Sequence, residues 1–235
     1  MKHVRNLIAV SGGKGGVGKS LVASTLALIL ARRGCKVGLF DLDFTSPSTH
    51  IILGIKGVHP KEEKGIIPPK VHNLQYMSIV YYSGDLAAPL RGTDISNALI
   101  ELLSITRWEK LDYLILDMPP GISDVTLDLT RLVKHLKFLI VTTPSQLAFE
   151  TAKKLASLLA TLKIPVMGIV ENMTMNQSQF VQQQAKRLGL NLLGQIPHDP
   201  KVEYAIGNTD KLLKTVFAKG VEQVVTEIQA QRHYP

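Results

Sequence analysis

Eight consecutive residues constrain this chain more than any others: Gly13-Lys14-Gly15-Gly16-Val17-Gly18-Lys19-Ser20. They satisfy G-x-x-x-x-G-K-[ST]. They stand between an apolar run, residues 6–11, and a stretch of helical pattern, residues 19–32. Strand, glycine-rich loop and helix form the setting in which that motif cradles phosphate. Glycines let successive backbone N–H groups turn toward phosphate oxygens. The following helix adds its positive end. Lys19 is expected on the β- and γ-phosphates, and the Ser20 hydroxyl on Mg²⁺. Gly13, Lys14, Gly15, Gly16, Val17, Gly18 and Leu21 complete the expected cradle.

The rest of the chain repeats the same alternation. Strands are expected over residues 36–40, 74–82, 113–116, 138–142, 166–170 and 190–196. Helices are expected over 94–106, 125–136, 146–162 and 177–188, with a closing helix carrying Val216, Val221, Val224, Val225 and Ile228. Gly34 ends the first helix. Residues 44–73, with four prolines, are the least regular part. Near-continuous apolar strands alternating with helices predict an α/β fold: a single doubly wound, mostly parallel sheet with helices on both faces. One domain over residues 1–235 is expected.

Composition narrows the setting. A 45% hydrophobic and 20% charged chain of 235 residues is globular rather than disordered. Cys35 is the single cysteine, so no disulfide framework forms within the chain. A cytoplasmic location is expected. The longest apolar stretch, residues 21–30, is too short to span a bilayer. Lys2 and Arg5 before an apolar run mimic a signal peptide, but that run leads into the phosphate loop. The net charge of +8 permits an anionic partner. The basic residues are spread along the chain, and no nucleic-acid partner or membrane insertion is expected.

Acidic residues follow at strand ends, where an open α/β sheet places its ligands. Asp41 and Asp43 lie two apart and point the same way if the strand continues through them. One would orient the attacking water and the other would hold Mg²⁺ through water; Asp41 and Asp117 are the candidate metal carboxylates. Gly121 is expected to offer its N–H to a γ-phosphate. The guanine-reading N-K-x-D tetrad is absent. Asn172, after the strand 166–170, would then meet adenine beside a wall at Pro197. Lys14, an extra cation in the loop, would neutralise phosphate in its own subunit or reach a nucleotide held by a second.

With its extra lysine, the loop resembles the MinD/Mrp group of deviant Walker ATPases. Three further segments look like the Mrp branch: Asp41-Leu42-Asp43 with Ser46-Pro47-Ser48, residues 117–124 (DMPPGISD), and Glu171-Asn172-Met173. The similarity runs over residues 5–215. It implies a slow ATPase using ATP/ADP and Mg²⁺, with Lys14, Lys19 and Asp43 catalytic. In that group Lys14 acts across an ATP-dependent homodimer, Asp43 helps activate water and Asn172 meets adenine.

One departure stands out. Mrp-type iron–sulfur carriers have C-x-x-C shortly after E-N-M; here residues 174–178 read TMNQS, and no thiolate is available to bridge a cluster. Archaeal Mrp/MinD-type HypB proteins, which help insert nickel into hydrogenase, lack those cysteines. Residues 50–54, 66–69, 89–92 and 98–108 look similar to that group. The expectation is therefore metallocentre assembly, nickel insertion with a small metallochaperone or apoprotein client. The alternatives are an Mrp-type iron–sulfur carrier and a MinD/ParA-like positioning ATPase. No histidine is assigned to metal.

Overall fold

The computed structural model describes residues 3–83, 92–175 and 179–231. The segment 89–92 used in one resemblance lies partly outside them. So do residues 176–178 of the TMNQS stretch, the first residues of the helix expected at 177–188, and the chain end after residue 231.

The strands are β1 (Leu7–Gly12), β2 (Val37–Asp41), β3 (Lys61–Glu62), β4 (Ile66–Ile67), β5 (Lys70–Val71), β6 (Leu74–Ser78), β7 (Tyr113–Asp117), β8 (Leu136–Thr142), β9 (Val166–Thr174) and β10 (Leu192–Pro197). The α-helices are α1 (Lys19–Arg32), α2 (Thr49–Leu53), α3 (Val80–Ser83), α4 (Thr93–Ile105), α5 (Asp124–Leu132), α6 (Gln146–Thr161), α7 (Phe180–Arg187), α8 (Thr209–Leu212) and α9 (Val216–Ala230), with a 3₁₀ turn at Pro200–Ala205.

Eight strands form one sheet in the order β10-β9-β8-β1-β7-β2-β6-β5, and β3 with β4 makes a separate ribbon. The eight-stranded sheet is parallel except for β5, which runs against β6 at the edge. The mostly parallel α/β architecture read from the sequence is the one observed.

Alternate residues of each strand feed opposite cores. Ile8 and Val10 of β1 pack with α1 and α9, while Leu7 and Ala9 pack with α4, α5 and α6. Both faces are therefore covered, and β1, β2, β6 and β7 are buried along their whole length. Capping side chains set the starts of α5, α8 and α9, with Asn208 accepting the Lys211 N–H at α8. Ser123 accepts the Thr126 N–H at the start of α5, and Thr215 accepts the Ala218 N–H at the start of α9.

Three expectations need correction. The strand expected at 74–82 stops at Ser78, whose hydroxyl accepts the Val80 N–H at 3.3 Å and turns the chain into α3. The helix expected at 125–136 stops at Leu132, because His135 takes a left-handed φ of 61° and Leu136 opens β8. The strand expected at 166–170 runs on to Thr174, so Glu171 and Asn172 lie within it. Residues 44–73 are less irregular than expected: they hold α2, the β3–β4 ribbon and β5.

Candidate nucleotide site

All the motif residues converge at one edge of the sheet, where the parallel strands end. The loop leaves β1 at Gly12 and enters α1 at Lys19. Gly13 lies against α6 so closely that a Cβ there would run into the Thr151–Ala152 backbone. Gly18 has a φ of 84°, and a Cβ would strike the Asn172 amide. Side chains are excluded at those two points by contact and by backbone conformation. Gly15 and Gly16 meet nothing within 4 Å and leave the cradle open.

Lys19 is 8% exposed. Its ammonium lies 3.5 Å from Asp43 Oδ2 and 3.4 Å from Ser20 Oγ. The other oxygen of Asp43 accepts the Thr45 hydroxyl at 3.0 Å and the Ser46 N–H at 3.2 Å. Asp43 thus links the phosphate-loop lysine to the segment after β2. β2 itself ends at Asp41, so strand alternation does not set where Asp43 points. Instead the Asp43 N–H donates to Asp41 Oδ1 at 3.1 Å.

Asp41 and Asp117 are register partners on adjacent strands, both fully buried. Asp41 is saturated. Besides Asp43, it accepts the Ser48 N–H, the Thr49 N–H and the Thr49 hydroxyl, the last at 2.7 Å. Thr49 Oγ1 also pairs with the Tyr76 hydroxyl at 2.8 Å. Among the described residues neither oxygen of Asp117 has a hydrogen-bond partner, although Ser20 and Lys19 are close enough to act on it.

Burial, and then the negative charge of Asp41, pushes the Asp117 carboxyl up to about 8, against the pull of Lys19. Burial likewise raises Asp41, against the donors from Thr49 and Asp43. A buried carboxylate without donors costs several kcal/mol unless a cation compensates it. Asp117, with Ser20 beside it, therefore fits Mg²⁺. Asp41, already holding four donors, would reach a cation only through water.

Gly121 has a φ of 74°, and its N–H donates to the Gly12 carbonyl at 2.9 Å. Contact with a γ-phosphate would require that bond to open. Asn172 is 1% exposed. Its amide donates to the Val17 carbonyl at 2.9 Å, and its Oδ1 has no partner among the described residues. Pro197 ends β10 beside it, where Ile196 pairs with Asn172 and Pro197 with Thr174. Leu21 is half-buried in the first turn of α1. Lys14 is half-buried and takes no hydrogen-bond or ion-pair partner among the described residues.

Sequence reasoning missed Thr49 and Tyr76, which hold Asp41. A signal was present: Ser48-Thr49 ahead of an apolar run is a helix-start pattern. What no pattern could tell was that Asp41 accepts the N–H groups at that start. Cys35 is half-buried against the α1–α9 core, and Gln229 Nε2 approaches its sulfur at 3.9 Å.

Residues 3–232 match the model of the ParA family, described as NUBPL iron-transfer P-loop NTPase. This chain belongs to that family. It is 42% identical over 180 residues to the "Iron-sulfur cluster carrier protein" of Pseudomonas fragi, covering 75% of this chain and 63% of the relative. It is 36% identical over 226 residues to the protein of the same name from Saccharolobus solfataricus, covering 87% and 75%. The chain thus spans a little under two thirds of the Pseudomonas relative. Among solved structures, a nucleotide-binding protein from Archaeoglobus fulgidus in complex with ADP superposes with a TM-score of 0.76 at 28% identity, covering 91% of this chain and 89% of that one. The Pyrococcus furiosus cell-division ATPase MinD superposes at 0.72 and 20% identity, covering 97% and 99%, a likeness of fold. The relatives' names favour the iron–sulfur alternative over nickel insertion, and the HypB-like resemblance gains no support.

Among the described residues no helix is long and apolar enough to cross a membrane, and no group of three His, Cys, Asp or Glu side chains is placed to hold a metal ion.

Proposed function

We propose that this chain is an ATP-hydrolysing, Mg²⁺-dependent switch in iron–sulfur cluster assembly that works on a cluster held by a partner. The observation that carries the nucleotide part is the orphaned, buried Asp117 carboxylate beside Lys19 and Ser20 at the mouth of an open glycine cradle. Family membership and the relatives' names support the assembly role.

The residues divide the work. The backbone from Gly13 to Leu21 and the Lys19 ammonium bind the phosphates. Ser20 and Asp117 hold Mg²⁺, which neutralises charge developing on the phosphates. As Lys19 turns to phosphate, its 3.5 Å ion pair with Asp43 is released. Asp43 is then free to orient the attacking water, while Asp41 keeps the 43–49 segment in place. The Asn172 amide keeps the loop near the base, and Pro197 walls that side.

Lys14 acts across an ATP-dependent homodimer. Exposed apolar side chains at the strand-end edge support such a face: Ile122 is 48% exposed, Leu147 67% and Met175 79%. Light scattering tests this. Wild type is expected to double its mass with ATP and Lys14→Ala to remain a monomer; a dimer of Lys14→Ala would remove the trans role. A cation supplied in trans contributes on the order of 10³-fold in rate.

The cluster is cargo. Residues 174–178 contain no cysteine, and Cys35 packs on the α1–α9 core. Anaerobic incubation with Fe²⁺ and sulfide is expected to leave the isolated chain without a stable cluster chromophore. A stoichiometric cluster on this chain alone would overturn the division between switch and carrier.

A further inference from the structure

The phosphate site employs few of the chain's cations, and the net charge of +8 needs another account. It lies at the opposite edge of the sheet. Because the strands of the central sheet are parallel, β2, β7, β1, β8 and β9 all begin there. The Arg5 N–H bonds to the Leu111 carbonyl, the Asp112 N–H to the Lys36 carbonyl and the Phe138 N–H to the Pro165 carbonyl. Leu7 pairs with Leu136. These contacts set Arg5, Lys36, Lys110, Lys134, Lys137 and Lys163 along one rim, all exposed. Two bordering carboxylates are engaged: Asp112 by Arg5 at 3.1 Å and by the Lys36 N–H at 2.9 Å, and Glu109 by Lys70 at 2.9 Å; Glu227 of α9 is exposed nearby, beside Asn191 and Gln231.

A cavity of about 440 Å³ opens within this rim, at the C-terminal end of α9. Lys137, Asn6, Asn191 and Gln231 supply polar groups to its wall; Ile8 and Ile228 supply apolar ones. Among the described residues no carboxylate lines it. Leu132, 51% exposed, and Leu162, 41% exposed, stand just before β8 and β9.

We propose that this edge is a docking face for an acidic protein segment, with one carboxylate seated in the cavity against Lys137. Charge complementarity selects an anionic partner. The cavity selects a protein: a concave site with amide donors and apolar walls suits an inserted side chain, whereas a bilayer or duplex presents its phosphates as a continuous surface. The rim is also mostly lysine. Its arginine, Arg5, is already paired, so bidentate phosphate recognition is not provided. Since the face lies opposite the nucleotide edge, a partner can stay docked while nucleotide turns over.

The test is fluorescence anisotropy with a fluorescein-labelled Glu-Glu-Leu repeat peptide, in saturating Mg·ADP. Lys137→Glu is expected to weaken binding about tenfold or more, as for a close charge pair. Lys201→Glu, the same charge change at an exposed lysine just past the C-terminal end of β10, is expected to change it less than about twofold, a screened long-range effect. Equal losses in the two variants would overturn the proposal. Lys137→Met keeps the apolar stem, so undiminished affinity there removes the anchor. Tighter binding of duplex DNA or phosphatidylserine vesicles than of the peptide, itself lost in Lys137→Glu, would overturn the choice of partner.

Discussion

Asp41 and Asp117 end adjacent strands at the same height and are equally buried, yet their surroundings are opposite. Asp41 accepts four hydrogen bonds from the 43–49 segment; Asp117 makes no hydrogen bond of ordinary geometry among the described residues and has only Ser20 and Lys19 within reach. A saturated buried carboxylate organises the chain around it. An unsaturated one at the mouth of a phosphate cradle carries a cost that a proton relieves in part and a bound cation offsets. The difference separates a scaffold residue from a ligand residue where the sequence offered two equivalent aspartates.

Several variants would break or sharpen that contrast. The largest effect belongs to the lysine that pairs with Asp43 and acts on Asp117: Lys19→Ala is expected to weaken ATP binding at least about 100-fold, a loss of about 3 kcal/mol. Unchanged affinity by calorimetry would dissolve the site. Asp41→Ala leaves several buried donors unsatisfied and is expected to cost about 3 kcal/mol of stability, a drop of roughly 6–12 °C in Tm. If Asp41→Ala melts with the wild type, Asp41 is not the scaffold. Asp117→Asn should move the other way, raising the Tm of the nucleotide-free protein by a few degrees, because the amide is neutral without the proton uptake that a carboxyl pushed up to about 8 needs at neutral pH. A lower Tm would indicate donors that the geometry does not provide. The smallest effect is at the far end of the Asp41 network: Tyr76→Phe removes the hydroxyl 2.8 Å from Thr49 and should cost about 1 kcal/mol in urea unfolding.

Much of this was legible because it is local. The motif 13–20 with its flanking strand and helix prescribes the cradle, and α1 begins and ends where the pattern places it. Period and apolarity locate β1, β2, β7 and β8. What was not legible depends on contacts distant in sequence. The role of Asp41 is set by Thr49 and Tyr76, and Tyr76 lies on a different strand. The Gly121 N–H looked available until β1 and the loop after β7 were seen to meet at Gly12. Asn172 looked like a residue beyond a strand because Glu171-Asn172 reads as polar punctuation; β10 on one side keeps the pairing going. The basic rim was invisible for the same reason. Its cations are scattered over some 160 positions, and only the parallel register lines them up.

The contrast between the two aspartates is tested most directly by calorimetric titration of ADP, with and without Mg²⁺, into wild type, Asp117→Asn and Asp41→Asn. Mg²⁺ is expected to tighten ADP binding in wild type and in Asp41→Asn, compared at a temperature where that variant is folded. In Asp117→Asn the Mg²⁺ enhancement should vanish while Mg²⁺-free affinity is retained. An undiminished enhancement in Asp117→Asn, or its loss in Asp41→Asn alone, would contradict the assignment of Asp117 as the cation ligand and Asp41 as the scaffold.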